Sequence, residues 1–151
     1  MNWNSHKSVT LSLIVTWMGL VFAIGFGVGL VPALKLRFSE RVFDDFVIRT
    51  LGPVYACLLF GIVAMVVLIQ LLSDIRRNEV FTSDNVWRLR LISYCGFAIT
   101  VACVVGAVIT PLPIEFVLVA LIAGFMGLLM RVIKNVIEAA RLLKEDADYT
   151  I

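Results

Sequence analysis

The segment IRRNEVFTSDNVWRLRLI, residues 75–92, decides the fold, because it is a polar stretch held between two long apolar runs. The run before it covers Val54–Leu72, the run after it covers Leu91–Leu112, and neither contains Asp, Glu, Lys or Arg. An ionised side chain at the centre of a bilayer costs roughly 2.5 to 3.5 kcal/mol on insertion scales, so uncharged runs of this length are typical of membrane-spanning helices. The polar segment therefore predicts a hairpin between two spans.

Two further runs have the same character. Val9–Val31 is uncharged, and Phe116–Met130 reaches sufficient length when Ile114 and residues 132–133 are included, since a helix needs about 20 residues to cross about 30 Å of hydrocarbon. The whole chain is 61% hydrophobic and 16% charged, which is too apolar for one water-soluble domain. We predict a single-domain, all-α integral membrane protein whose four transmembrane helices cover about 9–31, 54–72, 91–112 and 114–133.

The connections between these spans differ in basic charge. Nine Lys and Arg residues flank the spans on the side of the termini and of the hairpin 73–90, whereas four lie in the connection 32–50. Basic residues concentrate on the cytoplasmic side of membrane proteins. The asymmetry predicts that both termini, the hairpin and a C-terminal helix and tail (134–151) are cytoplasmic, and that 32–50 is outside. Because the basic residues are spread along membrane flanks, the net charge of +2 does not indicate direct nucleic-acid binding.

Catalytic and metal-ligating patterns are missing from the sequence. Cys57, Cys95 and Cys103 fall inside predicted spans without a CxxC pair or a neighbouring His, which favours packing roles. His6, the single histidine, lies beside Lys7 before the first span, and no nucleophile and base can be grouped around it. The sequence predicts no catalytic residues, no metal site and no cofactor, and hence a protein that is not an enzyme.

The hairpin carries signals for helix ends. Asn78 suits the left-handed conformation that ends a helix, and Thr82 is predicted to cap the third helix with Asp84 in its first turn. We also expect an ion pair between Asp84 and Arg88, which are four residues apart.

The other connections also contain turn signals. Gly52 and Pro53 predict the start of the second span, and Pro111 with Pro113 predict a tight turn that makes spans three and four a close antiparallel hairpin. The connection 32–50 has apolar residues on one helical face after Ser39, which predicts a short amphipathic helix lying at the outer interface.

Small residues recur at helical spacing within the spans and predict close helix contacts. Packing between spans of one chain explains them, and homodimerisation through them remains the alternative. The rows are Gly19, Ala23 and Gly27; Ala98, Ala102 and Gly106; Ala120 and Gly124; and Ala123 and Gly127.

The fourth helix is predicted to continue beyond the bilayer as RVIKNVIEAARLLKE, residues 131–145. Pairs at i,i+4, Lys134 with Glu138 and Arg141 with Glu145, would support an exposed helix. An apolar stripe on this helix indicates a face that packs near the hairpin, with the acidic tail EDADYTI close to the hairpin arginines. The stripe consists of Ile133, Val136, Ile137, Ala140 and Leu143.

Two blocks of this sequence, IRRNEVFTSDNVWRLRLI and RVIKNVIEAARLLKEDADYTI, resemble the bacterial membrane-protein family known as domain of unknown function 2975. In that family an Ile-Arg-x-Gly-like turn leads to a Phe-Thr-x-x-Asn-x-x-x-Leu segment, and the terminal helix closes on an acidic stretch and Thr-Ile. This chain departs from the pattern with Asn78 where Gly is common. The resemblance implies a four-helix protein of the bacterial cytoplasmic membrane, frequently encoded beside a small Cro/C1-type helix-turn-helix regulator.

Three classes of function follow for such a chain. The first is a non-enzymatic membrane protein that binds or modulates a cytoplasmic helix-turn-helix regulator. The second is a small oligomeric transporter or channel, which would need ionisable groups facing a cavity, and the third is an intramembrane enzyme, for which no residues are visible. The residues predicted to bind the regulator are Arg76, Arg77, Thr82, Asn85, Arg88, Arg90, Glu145, Asp146 and Asp148.

Overall fold

The computed structural model describes residues 3–37, 40–77 and 82–150, and within them every regular element is a helix. The helices are α1 (Trp3–Arg37), α2 (Glu40–Arg76), α3 (Ser83–Ile109) and α4 (Pro113–Tyr149). Each is long and apolar enough to cross a membrane. The prediction of an all-α protein with four candidate membrane-spanning helices is confirmed.

Neighbouring helices pack antiparallel. Gly19 of α1 faces Met65 of α2, while Gly27, two turns further along α1, faces Leu58. The Tyr55 hydroxyl donates a hydrogen bond of 2.7 Å to the Gly27 carbonyl. Both ends of the helical chain therefore lie at the same end of the molecule as the α2–α3 connection. We call this the hairpin end; it comprises residues 3–10, 70–77, 82–90 and 131–149 of the described chain.

The helices form an open row instead of a closed bundle. Among the described residues, α1 packs along α2, α2 along α3, and α3 along α4, while no other pair of helices comes into extended contact. Few side chains are consequently buried, and apolar residues such as Phe22 and Val108 are 74% and 81% exposed. Lipid tails are as apolar as these side chains, so a membrane removes the cost of exposing them.

The closest helix contact is between α3 and α4. A Cβ atom built on Gly96 would lie 3.0 Å from the Cα of Gly127, and the Ser93 hydroxyl donates to the Gly127 carbonyl at 2.8 Å. The predicted row of Ala123 and Gly127 therefore faces α3. The predicted tight turn is also confirmed, because α3 ends at Ile109 and α4 begins at Pro113.

The structure differs from the prediction in the connection 32–50. Helix α1 continues through Pro32 to Arg37, and α2 begins at Glu40 and continues through Pro53. The amphipathic segment is thus the first part of α2 and not a separate helix, and the prediction that the second span starts at Gly52–Pro53 was wrong as a helix boundary. Ser39 lies outside the described residues.

The position of Pro53 explains why α2 can continue through it. A proline inside a helix removes one hydrogen bond, and Pro53 removes the one to the carbonyl of Arg49. Arg49 lies at the charged boundary of the apolar run, where water can replace the lost donor. Leu112 lies beside Thr50 and Val54, so α1 and α2 continue past the α3–α4 turn. From Glu40 to Thr50 this extension measures about 15 Å at 1.5 Å per residue.

The predicted continuation of the fourth helix is confirmed. Helix α4 runs without interruption from Pro113 to Tyr149. Both predicted i,i+4 pairs form: the Lys134 ammonium lies 2.6 Å from the Glu138 carboxylate, and the Arg141 guanidinium lies 3.7 Å from that of Glu145. Pairs of this kind stabilise an exposed helix by about 0.2 to 0.5 kcal/mol each.

Candidate functional site

Thr82 caps α3 as predicted. Its backbone is extended, and its hydroxyl accepts a hydrogen bond of 3.4 Å from the backbone N–H of Asn85. Asp84 lies in the first turn, where a negative charge favours the helix dipole. Asn78, the residue predicted to end α2, lies outside the described residues.

Arg88 joins α3 to α2. Its guanidinium donates to the carboxylate of Asp74 near the end of α2 and, at 3.0 Å, to the side-chain oxygen of Asn85. The predicted pair between Asp84 and Arg88 was therefore wrong. Arg88 turns towards α2 because the carboxylate of Asp74 is itself only 23% exposed and gains more from a charged partner than an exposed acid would.

This arrangement gives three of the predicted partner-binding residues a structural role. Asn85 is fully buried, Arg88 is mostly buried in its ion pair, and Thr82 is used by the helix cap. Asp74 was missed, although it is the first charged residue after the second apolar run and therefore lies at the level where the hairpin begins. Through Asp74 and Arg88, these residues join the end of α2 to the first turns of α3.

Arg76 and Arg77 are exposed at the end of α2. Their positive charges lie beside the last carbonyl groups of the helix, where the dipole favours cations. Both arginines are therefore presented to solvent at the hairpin end.

Arg90 lies at a pocket between α3 and α4. The pocket has a volume of about 270 Å³ and a mostly polar lining. Arg131 and Lys134 reach it from α4, so three cations converge there. The sequence predicts a topological role for Arg131 and Lys134 and an ion pair of Lys134 with Glu138, but not this pocket, because their proximity to Arg90 depends on how α4 is rotated against α3. The remaining lining residues are Ser93, Tyr94, Phe97 and Asn135.

The acidic tail does not meet the hairpin arginines in the described structure. Glu145, Asp146 and Asp148 are exposed on α4, and Glu145 pairs with Arg141 of its own helix. The last turns of α4 also expose apolar side chains, with Leu142 51% and Leu143 70% exposed. Part of the predicted stripe is therefore uncovered.

A second cavity is apolar. It has a volume of about 510 Å³ and lies among all four helices near the α3–α4 turn, and Glu115 is the carboxylate among its lining residues. Beside Glu115 it is lined by Phe116 and by Thr50, whose buried hydroxyl has no hydrogen-bond partner among the described residues. Within the described residues, this cavity included, no three His, Cys, Asp or Glu side chains are grouped as metal ligands would be.

Four helices, each long and apolar enough to cross a membrane, define a multi-pass helical membrane protein. The chain belongs to the family described as protein of unknown function (DUF2975), which it matches over residues 4–151. No curated protein and no solved structure is similar enough to count as a match.

Proposed function

We propose that this protein is a non-enzymatic membrane partner that binds or modulates a small cytoplasmic helix-turn-helix regulator. The observation that carries the proposal is the projection of α4 beyond the helix on which it packs. Arg90 and Lys134 lie at one level, since both line the polar pocket. From there α3 extends seven residues to Ser83, about 10 Å, whereas α4 extends fifteen residues to Tyr149, about 22 Å.

The projecting part of α4 offers a surface of the kind that partner proteins recognise. Leu142 and Leu143 are exposed about 16 to 18 Å along α4 beyond Arg131, the first charged residue after its apolar run. An amphipathic helix with an uncovered apolar face is a common docking element. Arg76 and Arg77 are exposed at the same end of the molecule and provide opposite charge for an acidic partner.

The proposal requires the hairpin end to lie in the cytoplasm of a bacterial membrane. The nine-to-four distribution of basic residues supports this orientation. A reporter that is active only in the cytoplasm, fused after Ile151, is expected to be active. The same reporter inserted between Arg37 and Glu40 is expected to be silent. The reversed pattern would contradict the orientation and the proposal with it.

Docking is expected to depend on the apolar face of α4. In cells that carry the native regulator, a Leu142→Gln/Leu143→Gln variant should lose at least about tenfold of the helix-turn-helix regulator that copurifies with the full chain, since two large apolar contacts contribute more than 1.4 kcal/mol. Lys144→Gln is the control, because it alters an exposed residue directly after the two leucines, is not one of the residues predicted to bind the regulator, and leaves the leucines in place.

The expected control result is a loss of less than about threefold, since exposed charges contribute little.

Truncation after Lys134 should abolish capture and leave membrane insertion intact, because all four apolar segments precede it. Recovery of equal amounts of regulator with the leucine variant, or no helix-turn-helix protein with the unaltered chain, would contradict the proposal.

The second candidate function, a small oligomeric transporter or channel, is favoured by the apolar cavity alone. A lining this apolar suits a hydrophobic compound, and Glu115 as the carboxylate gives an ion or polar solute little to bind. Flux of a hydrophobic solute through reconstituted protein, with no copurifying regulator, would favour this candidate.

A further inference from the structure

The polar pocket between α3 and α4 contains more positive charge than its surroundings balance. Glu138 pairs with Lys134 at 2.6 Å. In contrast, neither Arg90 nor Arg131 has a carboxylate within 4 Å among the described residues. Glu138 also attracts Arg90 over a longer distance, but its single negative charge faces three cations. The pocket therefore keeps a net positive charge that a bound anion would balance.

The donors around the pocket suit a tetrahedral oxyanion. Arg90 and Arg131 provide planar forks of N–H groups that bind phosphate oxygens in pairs. The side-chain oxygen of Asn135 accepts a hydrogen bond of 3.2 Å from Lys134. The NH₂ group of the same amide is not used in that bond and can donate to an anion. The pocket volume of about 270 Å³ exceeds that of a single bound water many times over.

The position of the pocket along the membrane normal indicates the source of the anion. Arg90 is the last charged residue before the apolar run of α3, and Arg131 is the first charged residue after the apolar run of α4. The pocket is therefore at the boundary of the hydrocarbon, which is where lipid phosphates lie. Tyr94 is 62% exposed beside it, and tyrosine is enriched at this level of the bilayer.

Close packing of α3 and α4 keeps the cations in place. The hydrogen bond from Ser93 to Gly127 lies one turn from Arg90 and from Arg131, and it joins the two helices directly. The spacing of the Arg90 and Arg131 backbones is thus set by direct contact between α3 and α4.

We propose that Arg90, Arg131 and Lys134 form a binding site for the phosphate of an anionic phospholipid. The lipid headgroup would bridge α3 and α4, and its acyl chains would follow the apolar outer surface of the two helices. This assignment is independent of a regulator and of which membrane leaflet contains the hairpin end, so it stands or fails separately from the proposed function.

The test is a titration of the full chain, solubilised in detergent, with phosphatidylglycerol, followed by native mass spectrometry. Phosphatidylcholine with the same acyl chains is the zwitterionic control. We expect at least about tenfold tighter binding of phosphatidylglycerol, and an Arg90→Gln/Arg131→Gln variant should lose about tenfold or more of that affinity.

The matched control is Arg76→Gln/Arg77→Gln, which removes the same charge at the same end of the molecule but outside the pocket. It should change affinity by less than about threefold, since exposed charges act weakly. An Arg90→Lys/Arg131→Lys variant should bind between the unaltered chain and the glutamine variant, because charge remains but the paired N–H geometry is lost. The unfolding temperature measured without anionic lipid should be the same for all variants.

Three results would overturn the assignment. The first is equal affinity for the two lipids, and the second is an equal loss in both glutamine variants, which would show nonspecific surface attraction. The third is displacement of phosphatidylglycerol by inorganic phosphate but not by chloride at the same ionic strength, which would assign the pocket to a soluble phosphate.

Discussion

Replacing Gly96 with alanine is expected to destabilise the protein by about 1 to 3 kcal/mol, the usual cost of overpacking. The added Cβ would lie 3.0 Å from the Cα and 3.2 Å from the N of Gly127, and 3.1 Å from the carbonyl oxygen of Ala123. All three atoms belong to the backbone of α4, so no side chain can rotate away and the two helices must separate. The hydrogen bond from Ser93 to Gly127 would lengthen as a result.

Gly61→Ala is the matched control. Gly61 is also inside a helix, but no heavy atom lies within 4 Å of its added Cβ. Alanine has a higher helix propensity than glycine, so this variant should be neutral or more stable by up to about 1 kcal/mol. Unfolding of both variants in detergent, followed by circular dichroism, measures the difference. If both variants changed the free energy of unfolding with the same sign and size, α3 and α4 would not be in backbone contact.

Replacing Asp74 with asparagine is expected to cost about 1 to 3 kcal/mol, because it leaves the guanidinium of Arg88 partly buried without its charged partner. The two side chains are 21% and 23% exposed, so solvent weakens but does not remove their attraction. The remaining hydrogen bond to Asn85 is to a neutral oxygen. The α2–α3 connection should also become more sensitive to protease.

A double-mutant cycle separates this ion pair from the one predicted by sequence spacing. Asp74→Asn and Arg88→Gln should be strongly non-additive, with a coupling of about 0.5 to 3 kcal/mol. Asp84→Asn combined with Arg88→Gln should be additive, since Asp84 contributes through the helix dipole, at about 0.3 to 1 kcal/mol. If Asp84 were coupled to Arg88 and Asp74 were not, Asp84 and not Asp74 would be the ion-pair partner of Arg88.

The polar pocket shows why part of the candidate site could not be predicted. The sequence places Arg90, Arg131 and Lys134 at the ends of apolar runs, and that position predicts their depth. Whether they meet depends on the rotation of α4 about its axis. Arg90 faces α4 and Arg88, two residues earlier, faces α2, which follows from the 100° turn per residue of a helix.

The sequence by itself determined the number of helices, the tight turn at Pro111–Pro113, the cap at Thr82 and the ion pairs along α4. Each of these depends on residues within a few positions of one another, and the cost of placing a charge in hydrocarbon does not require knowledge of any contact. The continuation of α2 through Pro53, the open row of helices and the partner of Arg88 were decided only by the tertiary structure. Apolar residues surround much of α1 and α3, so hydrophobicity does not specify which face meets a neighbour. In lipid that choice depends on close packing at small residues such as Gly96 and Gly127 and on which polar groups find partners.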